Sequence, residues 1–350
     1  MKKKYGVAVV GYGGMGSWHV KELLEIAEAK LCGVYDIDTE KIEKAQSEGI
    51  HTYASMEEVL ADPKVCVVTI ATPNDTHCAL AIKAMRHKKN VICEKPAAMN
   101  TRELSEMIQV SEENHVIFTT HHNRRWDPDF LAVKQIYDQN TLGRIFNIES
   151  RVQGSRGIFG DWRKTREHGG GMVMDWGVHL FDQILTLTKA KIVSVYAQMS
   201  YVTCREVDDG FKAVIKFADG LVCQVEVNTY TFINQARWYV QGEQGTAVIN
   251  DWNLDGKIVQ VLENGTDHVE PVAAASGISR TVAPRDARTV KELKIPHICS
   301  NVQEFYRNIF QTIDGEDSLI IKPDEIKRCM KLMEVVTCSG ESNEVIHCAI

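Results

Sequence analysis

Three side chains in this sequence have types and positions that suit the removal of a proton from an alcohol: Lys95, Asp175 and His179. Lys95 follows the apolar run Val91–Cys93 and precedes Pro96, so a rigid backbone aims its side chain away from a strand end. An isolated lysine is usually a solvated surface charge. At the carboxyl end of a parallel strand, however, its ammonium would face a ligand crevice and stabilise negative charge on a substrate oxygen.

Asp175 and His179 are four residues apart, which predicts that they share one face of a helix. Gly169–Gly171 precedes them and favours close approach by a ligand. In that setting His179 is the natural base near neutral pH, and Asp175 would orient the substrate or the imidazole. The alternative is a helix-stabilising pair in which the histidine is an ordinary core residue.

The stretch from Val7 to Asp38 predicts a nucleotide site built as strand, glycine turn, helix and strand. The turn has the G-x-G-x-x-G pattern and comprises Gly11, Tyr12, Gly13, Gly14, Met15 and Gly16. In this context Gly11 makes the tight turn, Gly13 lets the backbone approach a pyrophosphate, and Gly16 lets the helix pack on the strand. The helix N-terminus then offers free N–H groups to the phosphates.

Asp36 is placed to select the cofactor, since it lies twenty residues after Gly16 at the end of the second strand. A carboxylate there accepts hydrogen bonds from a ribose diol and repels a 2′-phosphate. No arginine or lysine occurs between Gly33 and Thr39. The sequence therefore favours NAD over NADP. An alcohol that gives hydride to nicotinamide needs one base and one cationic hydrogen-bond donor but no metal, and Lys95 and His179 supply them.

Alternating strand and helix patterns continue to Thr120 and predict a doubly wound parallel sheet in an α/β fold. Asn90–Cys93 is taken as its fifth strand and Val116–Thr120 as its sixth, with Ser55 and Thr101 capping two of the helices. Ligands bind outside the carboxyl ends of such strands. Three loops are therefore expected to converge on one crevice: Gly11–Gly16, Thr72–His77 and Glu94–Pro96.

From His121 onward the pattern changes to strands joined by short turns, which indicates a large, open and mostly antiparallel sheet. A helix is predicted from Met172 to Leu187, and two more near the C-terminus, at 301–312 and 323–336. Val269–Leu293 is irregular and polar, either an arm that crosses to another subunit or a surface loop. An open sheet with one apolar face needs a cover, so a homo-oligomer is expected.

Length and composition set the remaining expectations. A chain of 350 residues exceeds one hydrophobic core, so two domains are predicted, residues 1–123 and 124–350. The net charge of −7 gives no bias toward nucleic acid. The apolar run Val65–Ala71 is too short to span a bilayer, and no signal-peptide pattern follows Met1, so a cytoplasmic protein is expected. Ten cysteines without a C-x-x-C pair indicate reduced thiols and no structural metal.

Taken together, the glycine turn, Asp36, Thr72–His77, Glu94–Pro96 and Gly169–His179 resemble the Gfo/Idh/MocA oxidoreductase family over essentially the whole chain. That resemblance implies an N-terminal Rossmann domain and a C-terminal α/β domain whose sheet mediates oligomerisation. It also implies oxidation of sugars, inositols or glycosides, with Lys95, Asp175 and His179 as the catalytic set. Pro73, Asn74, His77 and Glu94 are expected on the nicotinamide side of the cleft, and Thr72 and Lys95 are further candidates for cofactor binding.

The loop Gly160–His168 is the candidate substrate site. Indole and hydrogen-bonding groups suit the apolar face and hydroxyls of a sugar, although a charged surface loop is the alternative. The candidate substrate-binding residues are Trp162, Arg163, His168, Arg124 and Trp126, together with Asp175 and His179.

The segments Asp161–Arg163 and Asp175–His179 resemble the glycoside 3-dehydrogenases of the family. This implies oxidation of C3 of a glucoside, which prepares glycosidic cleavage by a separate enzyme. An inositol 2-dehydrogenase, an NAD-dependent glycoside hydrolase and a non-catalytic NAD-binding sensor remain alternatives.

Overall fold

The computed structural model describes residues 4–158, 160–262, 271–279 and 284–350. Its first sheet is parallel and has the strand order β2-β1-β3-β4-β5. The elements of this half are β1 (Tyr5–Val10), α1 (Gly14–Glu25), β2 (Ala29–Tyr35), α2 (Thr39–Ser47), α3 (Met56–Ala61), β3 (Val67–Ile70), α4 (His77–Arg86), β4 (Asn90–Cys93), α5 (Thr101–Asn114) and β5 (Phe118–Thr120). The doubly wound fold is confirmed, but the predicted count of six strands was wrong. Asn90–Cys93 is the fourth strand of this sheet, and Phe118–Thr120 is the fifth.

Burial of the central strands explains their β-branched composition. Every residue of β1 and β3 is buried, because helices cover both faces of the sheet. Ser55 caps α3 as expected, since its hydroxyl accepts a hydrogen bond from the amide of Glu58 at 3.2 Å. The cap of α5 is Asn100 rather than Thr101: its side chain accepts from the amide of Glu103 at 3.0 Å.

The second sheet has nine strands among the described residues, in the order β15-β12-β11-β10-β6-β9-β8-β7-β16. Only β6 and β9 pair in parallel, so the expected mostly antiparallel sheet is confirmed. The elements are α6 (Pro128–Asp138), β6 (Ile145–Gln153), α7 (Val178–Leu187), β7 (Ile192–Ser200), β8 (Gly210–Phe217), β9 (Val222–Asn228), β10 (Trp238–Gly242), β11 (Gly245–Ile249), β12 (Gly256–Val261), β13 (Val272–Ala274), β14 (Gly277–Ser279), β15 (Val290–Leu293), α8 (Glu304–Ile313), α9 (Pro323–Ser342) and β16 (Ile346–His347).

One face of the second sheet is covered and the other is open. Strand β8 shows this directly, since buried and exposed residues alternate along most of its length. Helix α9 packs against β7 on the covered side, and α7 packs against α9. The site residues of α7 are therefore held between this sheet and the C-terminal helix.

The C-terminal helices also pack on the first sheet. The ring of Phe310 in α8 stacks on Tyr5 of β1, with 4.5 Å between centroids. The hydroxyl of Thr119 in β5 donates to the carbonyl of Ile321 at 2.9 Å. The end of the chain thus returns to the first half, and the division between residues 123 and 124 stays a prediction.

The region 269–293 lies partly outside the described residues. Its described part is not wholly irregular: β13 and β14 form a short hairpin, and β15 joins the edge of the second sheet beside β12. No helix in the described ranges is both long enough and apolar enough to cross a membrane.

Candidate active site

The glycine turn has the geometry that a diphosphate requires. Gly11 has a φ of +92°, which favours glycine, and a Cβ at Gly16 would lie 1.9 Å from the carbonyl oxygen of Gly11. By contrast, apart from its chain neighbours, no described atom lies within 4 Å of a Cβ built on Gly13. Tyr12 contributes only backbone here, because its hydroxyl donates to Glu48 at 2.6 Å. The turn is therefore closed toward the sheet and open above Gly13, where a dinucleotide fits.

Asp36 is fixed beside this turn. One carboxylate oxygen accepts from the amide of Tyr12 at 2.6 Å and the other from the amide of Asp38 at 2.9 Å. The ammonium of Lys41 lies 3.7 Å from Asp36 and 3.6 Å from Asp38. Lys41 lies two residues beyond the stretch Gly33–Thr39, which has no arginine or lysine, and the folding of α2 brings its side chain back toward Asp36.

The loop Thr72–His77 is tied to the rest of the cleft by buried side chains. The amide of Asn74 donates to the carbonyl of Gly169 at 3.0 Å. His77 is fully buried, with its ring nitrogens 2.9 Å from the carbonyl oxygens of Thr72 and Pro96. The side chain of His77 therefore joins the loops that follow β3 and β4, and its assignment to the nicotinamide side stays a prediction. Pro73 and Thr72 remain at the surface.

Lys95 extends from the end of β4 to the other half of the molecule. Its ammonium donates to the carboxylate and to the backbone carbonyl of Asp175, both at 2.8 Å, across 80 residues of sequence. The guanidinium of Arg163 lies 3.4 Å from the second carboxylate oxygen. Three of the predicted residues thus form one cluster. Glu94, in contrast, is only 5% exposed and lies behind Lys95 rather than on the cleft surface.

The backbone around Asp175 differs from the predicted α-helix. Val173–Gly177 is a π-helical turn, and α7 begins only at Val178. The four-residue spacing of Asp175 and His179 therefore spans a π-helical turn and the start of α7 rather than a single α-helix, and their sharing of one face stays a prediction. Asp208 anchors this turn, since its carboxylate accepts from the amide of Val173 at 2.9 Å.

The glycine run Gly169–Gly171 has a structural reason that the sequence did not reveal. A Cβ at Gly170 would lie 2.3 Å from the carbonyl oxygen of Arg163, and one at Gly169 would lie 2.6 Å from the sulfur of Met99. The chain itself therefore approaches these glycines closely, from the backbone of Arg163 and from the side chain of Met99.

Burial and nearby cations set the charge states at the cluster. Burial lowers the pKa of His179 well below 6.5, and the charges of Lys95 and Arg124 lower it further. Burial by itself would raise the pKa of Asp175, but Lys95 and Arg163 reverse this and hold it below its ordinary value. Nδ1 of His179 is buried without a hydrogen-bond partner among the described residues. At neutral pH the site therefore pairs a neutral imidazole, able to accept a proton, with a lysine anchored on a carboxylate.

The candidate substrate residues divide into three groups. Trp162 and Arg163 lie at the cluster, with the guanidinium 4.6 Å above the indole. His168 lies farther along the loop, 3.2 Å from Asp75 of the first half. Trp126 is only 8% exposed and its indole N–H donates to Glu304 at 3.3 Å, and its assignment to the substrate stays a prediction.

Arg124 belongs to an aromatic patch that sequence reasoning missed, here called the indole patch: Trp176, Trp252, Arg124 and Arg237. The guanidinium of Arg124 lies 4.1 Å from the ring of Trp176, and that of Arg237 lies 4.7 Å from the ring of Trp252. Trp176 lies 5.8 Å from the ring of His179, and Trp252 is 46% exposed. Trp176 was visible beside Asp175 in the sequence, whereas Trp252 follows β11 in a turn and carries no signal of its own.

A doubly wound nucleotide domain joined to an open-sheet domain, with a lysine, carboxylate and histidine cluster between them, defines a two-domain nicotinamide-dependent oxidoreductase. Residues 5–122 match the family described as "Oxidoreductase family, NAD-binding Rossmann fold", and residues 130–248 match "GFO/IDH/MocA C-terminal domain". The chain belongs to the Gfo/Idh/MocA family and has its NAD-binding domain.

Similar proteins support this assignment along the whole chain. The crystal structure of an NAD-binding protein from Listeria innocua is 42% identical, with 99% of this chain and 100% of that chain covered and a TM-score of 0.96. The scyllo-inositol 2-dehydrogenase (NADP(+)) IolW of Bacillus subtilis is 24% identical over 97% of this chain and 95% of its own length. The myo-inositol 2-dehydrogenase of Thermotoga maritima is 27% identical over 61% of this chain and 65% of its own length.

Proposed function

We propose that this protein oxidises a secondary hydroxyl of a sugar by hydride transfer to NAD, most specifically C3 of a glucoside to the 3-keto-glucoside. The observation that carries the proposal is the contact between Lys95 and Asp175 at 2.8 Å, together with the buried imidazole of His179, on which the charge of Lys95 acts. A base, a cationic donor and an anchoring carboxylate are the groups that this oxidation requires.

In the proposed oxidation, the cofactor, the base, the lysine and the carboxylate each have one role. NAD, when bound at the glycine turn, supplies the hydride acceptor. Neutral His179 accepts the hydroxyl proton while the carbon loses its hydride, so the alcohol becomes a ketone and one proton is released. Lys95 donates a hydrogen bond to the oxygen as its negative charge develops, and Asp175 keeps the ammonium in place.

Two aromatic surfaces support a ring-shaped polyol as the substrate. Trp162 and the indole patch flank Asp175 and His179, and indole faces pack against the C–H faces of sugars. Arginines on these indoles offer N–H donors at the ring's edge, where the hydroxyls lie.

Inositol is the second candidate, and a specific observation favours it. Two of the similar proteins are inositol 2-dehydrogenases, whose substrates are also rings of secondary hydroxyls. The same base and lysine would serve either ring. Size separates the two candidates, because a glucoside carries an aglycone and an inositol does not.

We also propose a preference for NAD over NADP. The carboxylates of Asp36 and Asp38 share the single ammonium of Lys41, so the charge at the ribose position stays negative. A 2′-phosphate would be repelled there, whereas a ribose diol would donate to Asp36.

Assembly through the second sheet is a further proposal. The open face exposes Val214 between two lysines of β8, a surface that a second copy could cover. Light scattering of the purified protein would give the mass, and a monomer at all concentrations would contradict it. A separate glycoside-cleaving enzyme acting on the keto product is the partner that this chemistry implies.

The decisive experiment incubates the protein and NAD with a mixture of glucosides, free hexoses and myo-inositol and analyses the products by mass spectrometry. A glucoside product lighter by two hydrogen atoms is expected, and a His179→Gln variant should form none while still binding NAD. Oxidation of myo-inositol alone would favour the second candidate. Cleaved sugar without keto product would indicate a hydrolase, and no conversion of any compound would leave a sensor as the better hypothesis.

A further inference from the structure

Behind Lys95 lies a buried chain of four polar side chains from four separate elements, here called the Glu94 network. Nε2 of His19 in α1 and Nδ1 of His121 after β5 lie 2.9 and 2.8 Å from the same oxygen of Glu94. The hydroxyl of Tyr306 in α8 lies 2.7 Å from Nδ1 of His19. The other oxygen of Glu94 accepts from the backbone amide of Lys95 at 3.1 Å.

The hydrogen bonds fix the protons of this network. Burial lowers the pKa of His19, so its ring is neutral and carries one N–H. That N–H must be on Nε2, which faces a carboxylate, and Nδ1 must accept from the Tyr306 hydroxyl. Burial raises the pKa of Tyr306, which keeps it a donor. His121 likewise donates from Nδ1 to Glu94.

The carboxylate at the centre stays charged despite its burial. Desolvation by itself would raise the pKa of Glu94, but the hydrogen bonds that it accepts from His121 and His19 hold it well below its ordinary value. The ligand-type atoms of His19, Glu94 and His121 all lie within 4.8 Å of one another, as they would in a metal site. Two N–H donors at hydrogen-bond distance from one oxygen account for the arrangement without an ion.

We propose that Glu94, His19, His121 and Tyr306 are positioning residues that fix the backbone of Lys95, so that its ammonium stays aimed at Asp175 and the reacting oxygen. Lys95 lies two residues beyond the end of β4. The carboxylate that accepts from its backbone amide is itself held by His19 of α1 and by His121 after β5, and Tyr306 of α8 in turn holds His19. The effect on turnover rests on the proposed function, but the effect on Lys95 does not.

The substitution series centres on His121. His121→Asn keeps an N–H donor near the position of Nδ1, whereas His121→Leu fills similar space without a donor. Tyr306→Phe removes only the hydroxyl that sets the tautomer of His19, and serves as the second test if the leucine variant does not fold.

The first readout needs no substrate. Reductive methylation of Lys95, measured by peptide mass spectrometry with exposed Lys331 as the internal reference, reports how firmly the ammonium is held. We expect faster labelling of Lys95 in His121→Leu and Tyr306→Phe, and the native rate in His121→Asn. Native rates in all three variants, or an equal rise in all three, would overturn the proposal.

The second readout is kinetic, on the substrate found above. In His121→Leu we expect kcat to fall by up to about 100-fold, the cost of misplacing a catalytic group by about 1 Å, while the Kd for NAD is kept. His121→Asn should recover most of the lost kcat. An unchanged kcat in His121→Leu would contradict positioning, whereas absence of turnover in the native protein would contradict the proposed function and leave the labelling result standing.

The third readout is the pH dependence of kcat/KM, which tests whether the charge of Glu94 matters in addition to its shape. The groups acting on His179 are Lys95, Arg124 and His122, which lower its pKa, and Glu94, which raises it. Glu94→Gln keeps the shape and removes the charge. The acid limb of the kcat/KM profile should therefore move to lower pH, and an unmoved limb would count against the proposal.

Discussion

The glycine turn and the Lys95 cluster both serve the proposed reaction, yet they are built in different ways. The turn is made within a short stretch of chain, from backbone conformation and the space left by Gly11, Gly13 and Gly16. The cluster joins Lys95 to Asp175 across 80 residues, with Arg163 on a separate loop. The difference shows that a site made of backbone can be identified from a motif, whereas a site made of side-chain charges depends on how the two halves pack.

Two carboxylates near the cluster illustrate the same point. Asp175 and Asp208 are both largely buried, and both contact the π-helical turn. Cations lower the pKa of Asp175, while burial raises the pKa of Asp208 to about 7. The two residues are of the same type, so their surroundings, which include Asp209 next to Asp208, set the difference between their pKa values.

Removal of the charge at the cluster should give the largest effect. We expect Lys95→Met to lower kcat by about 10²- to 10⁴-fold, because the developing oxyanion loses its charged donor. The Kd for NAD, measured by calorimetry, should stay near its native value. Lys331→Met, at an exposed position of α9, is the matched control, and comparable loss in both variants would refute the assignment of Lys95.

Substitutions in the glycine turn should separate folding from binding. Gly16→Ala places a methyl 1.9 Å from a backbone oxygen, and we expect it to lower the free energy of unfolding by about 1 to 3 kcal/mol. Gly13→Ala meets no described atom within 4 Å outside its chain neighbours, so stability should be kept while NAD affinity falls. Thermal unfolding with NAD titration measures both. Equal stability of the two variants would contradict the packing role of Gly16.

Asp36→Ala tests the ribose contact. Loss of hydrogen bonds to a carboxylate should weaken NAD by roughly 10- to 100-fold, on the basis of about 1.5 to 3 kcal/mol for a charged hydrogen bond. The ratio of NADP to NAD affinity should rise, because Lys41 then keeps only one of its two carboxylate partners. Lys41→Ala is the companion variant, and unaltered NAD affinity in Asp36→Ala would exclude the role given to that carboxylate.

The pH dependence of kcat/KM tests the protonation state of His179. The base acts only when neutral, so activity should be full above its pKa and fall about tenfold per pH unit below it. Because that pKa lies well below 6.5, the acid limb should also lie well below pH 6.5. Arg124→Met removes a positive charge that acts on His179, so the pKa of His179 should rise and the acid limb should move to higher pH. A limb near or above 6.5 in the native protein would contradict the assignment.

The smallest effect is expected at the indole patch. Trp252→Ala removes an exposed aromatic face near the site, and we expect KM for the glycoside to rise by a few-fold to about tenfold, from roughly 0.5 to 1.5 kcal/mol of aromatic packing. Trp252→Phe should restore most of the affinity and kcat should change little. An effect on kcat alone would place Trp252 outside the substrate site.

Much of the first half could be predicted from the sequence because local rules govern it. The order of β1, the glycine turn, α1 and β2 follows from strand and helix periods and from glycine positions, and the structure agrees closely. The errors there were small ones of counting and capping, as at Asn100.

Side-chain neighbours across the fold could not be predicted from the sequence. Trp126 was assigned to the substrate and is packed beside Glu304, and His77 was assigned to the cleft and joins the loops that follow β3 and β4. Trp252 was not considered, although folding brings it next to Trp176.

The sequence by itself determined the nucleotide-binding class and the two sheets and brought forward Lys95, Asp175 and His179 as candidates, because glycine spacing, hydrophobic period and strand-end position are local properties. Only the tertiary structure decided that Lys95 pairs with Asp175, that His179 is neutral, and that Glu94 lies buried between two histidines. Charge states and contacts of this kind depend on burial and on partners distant in the chain. They exist only once the two halves have packed together.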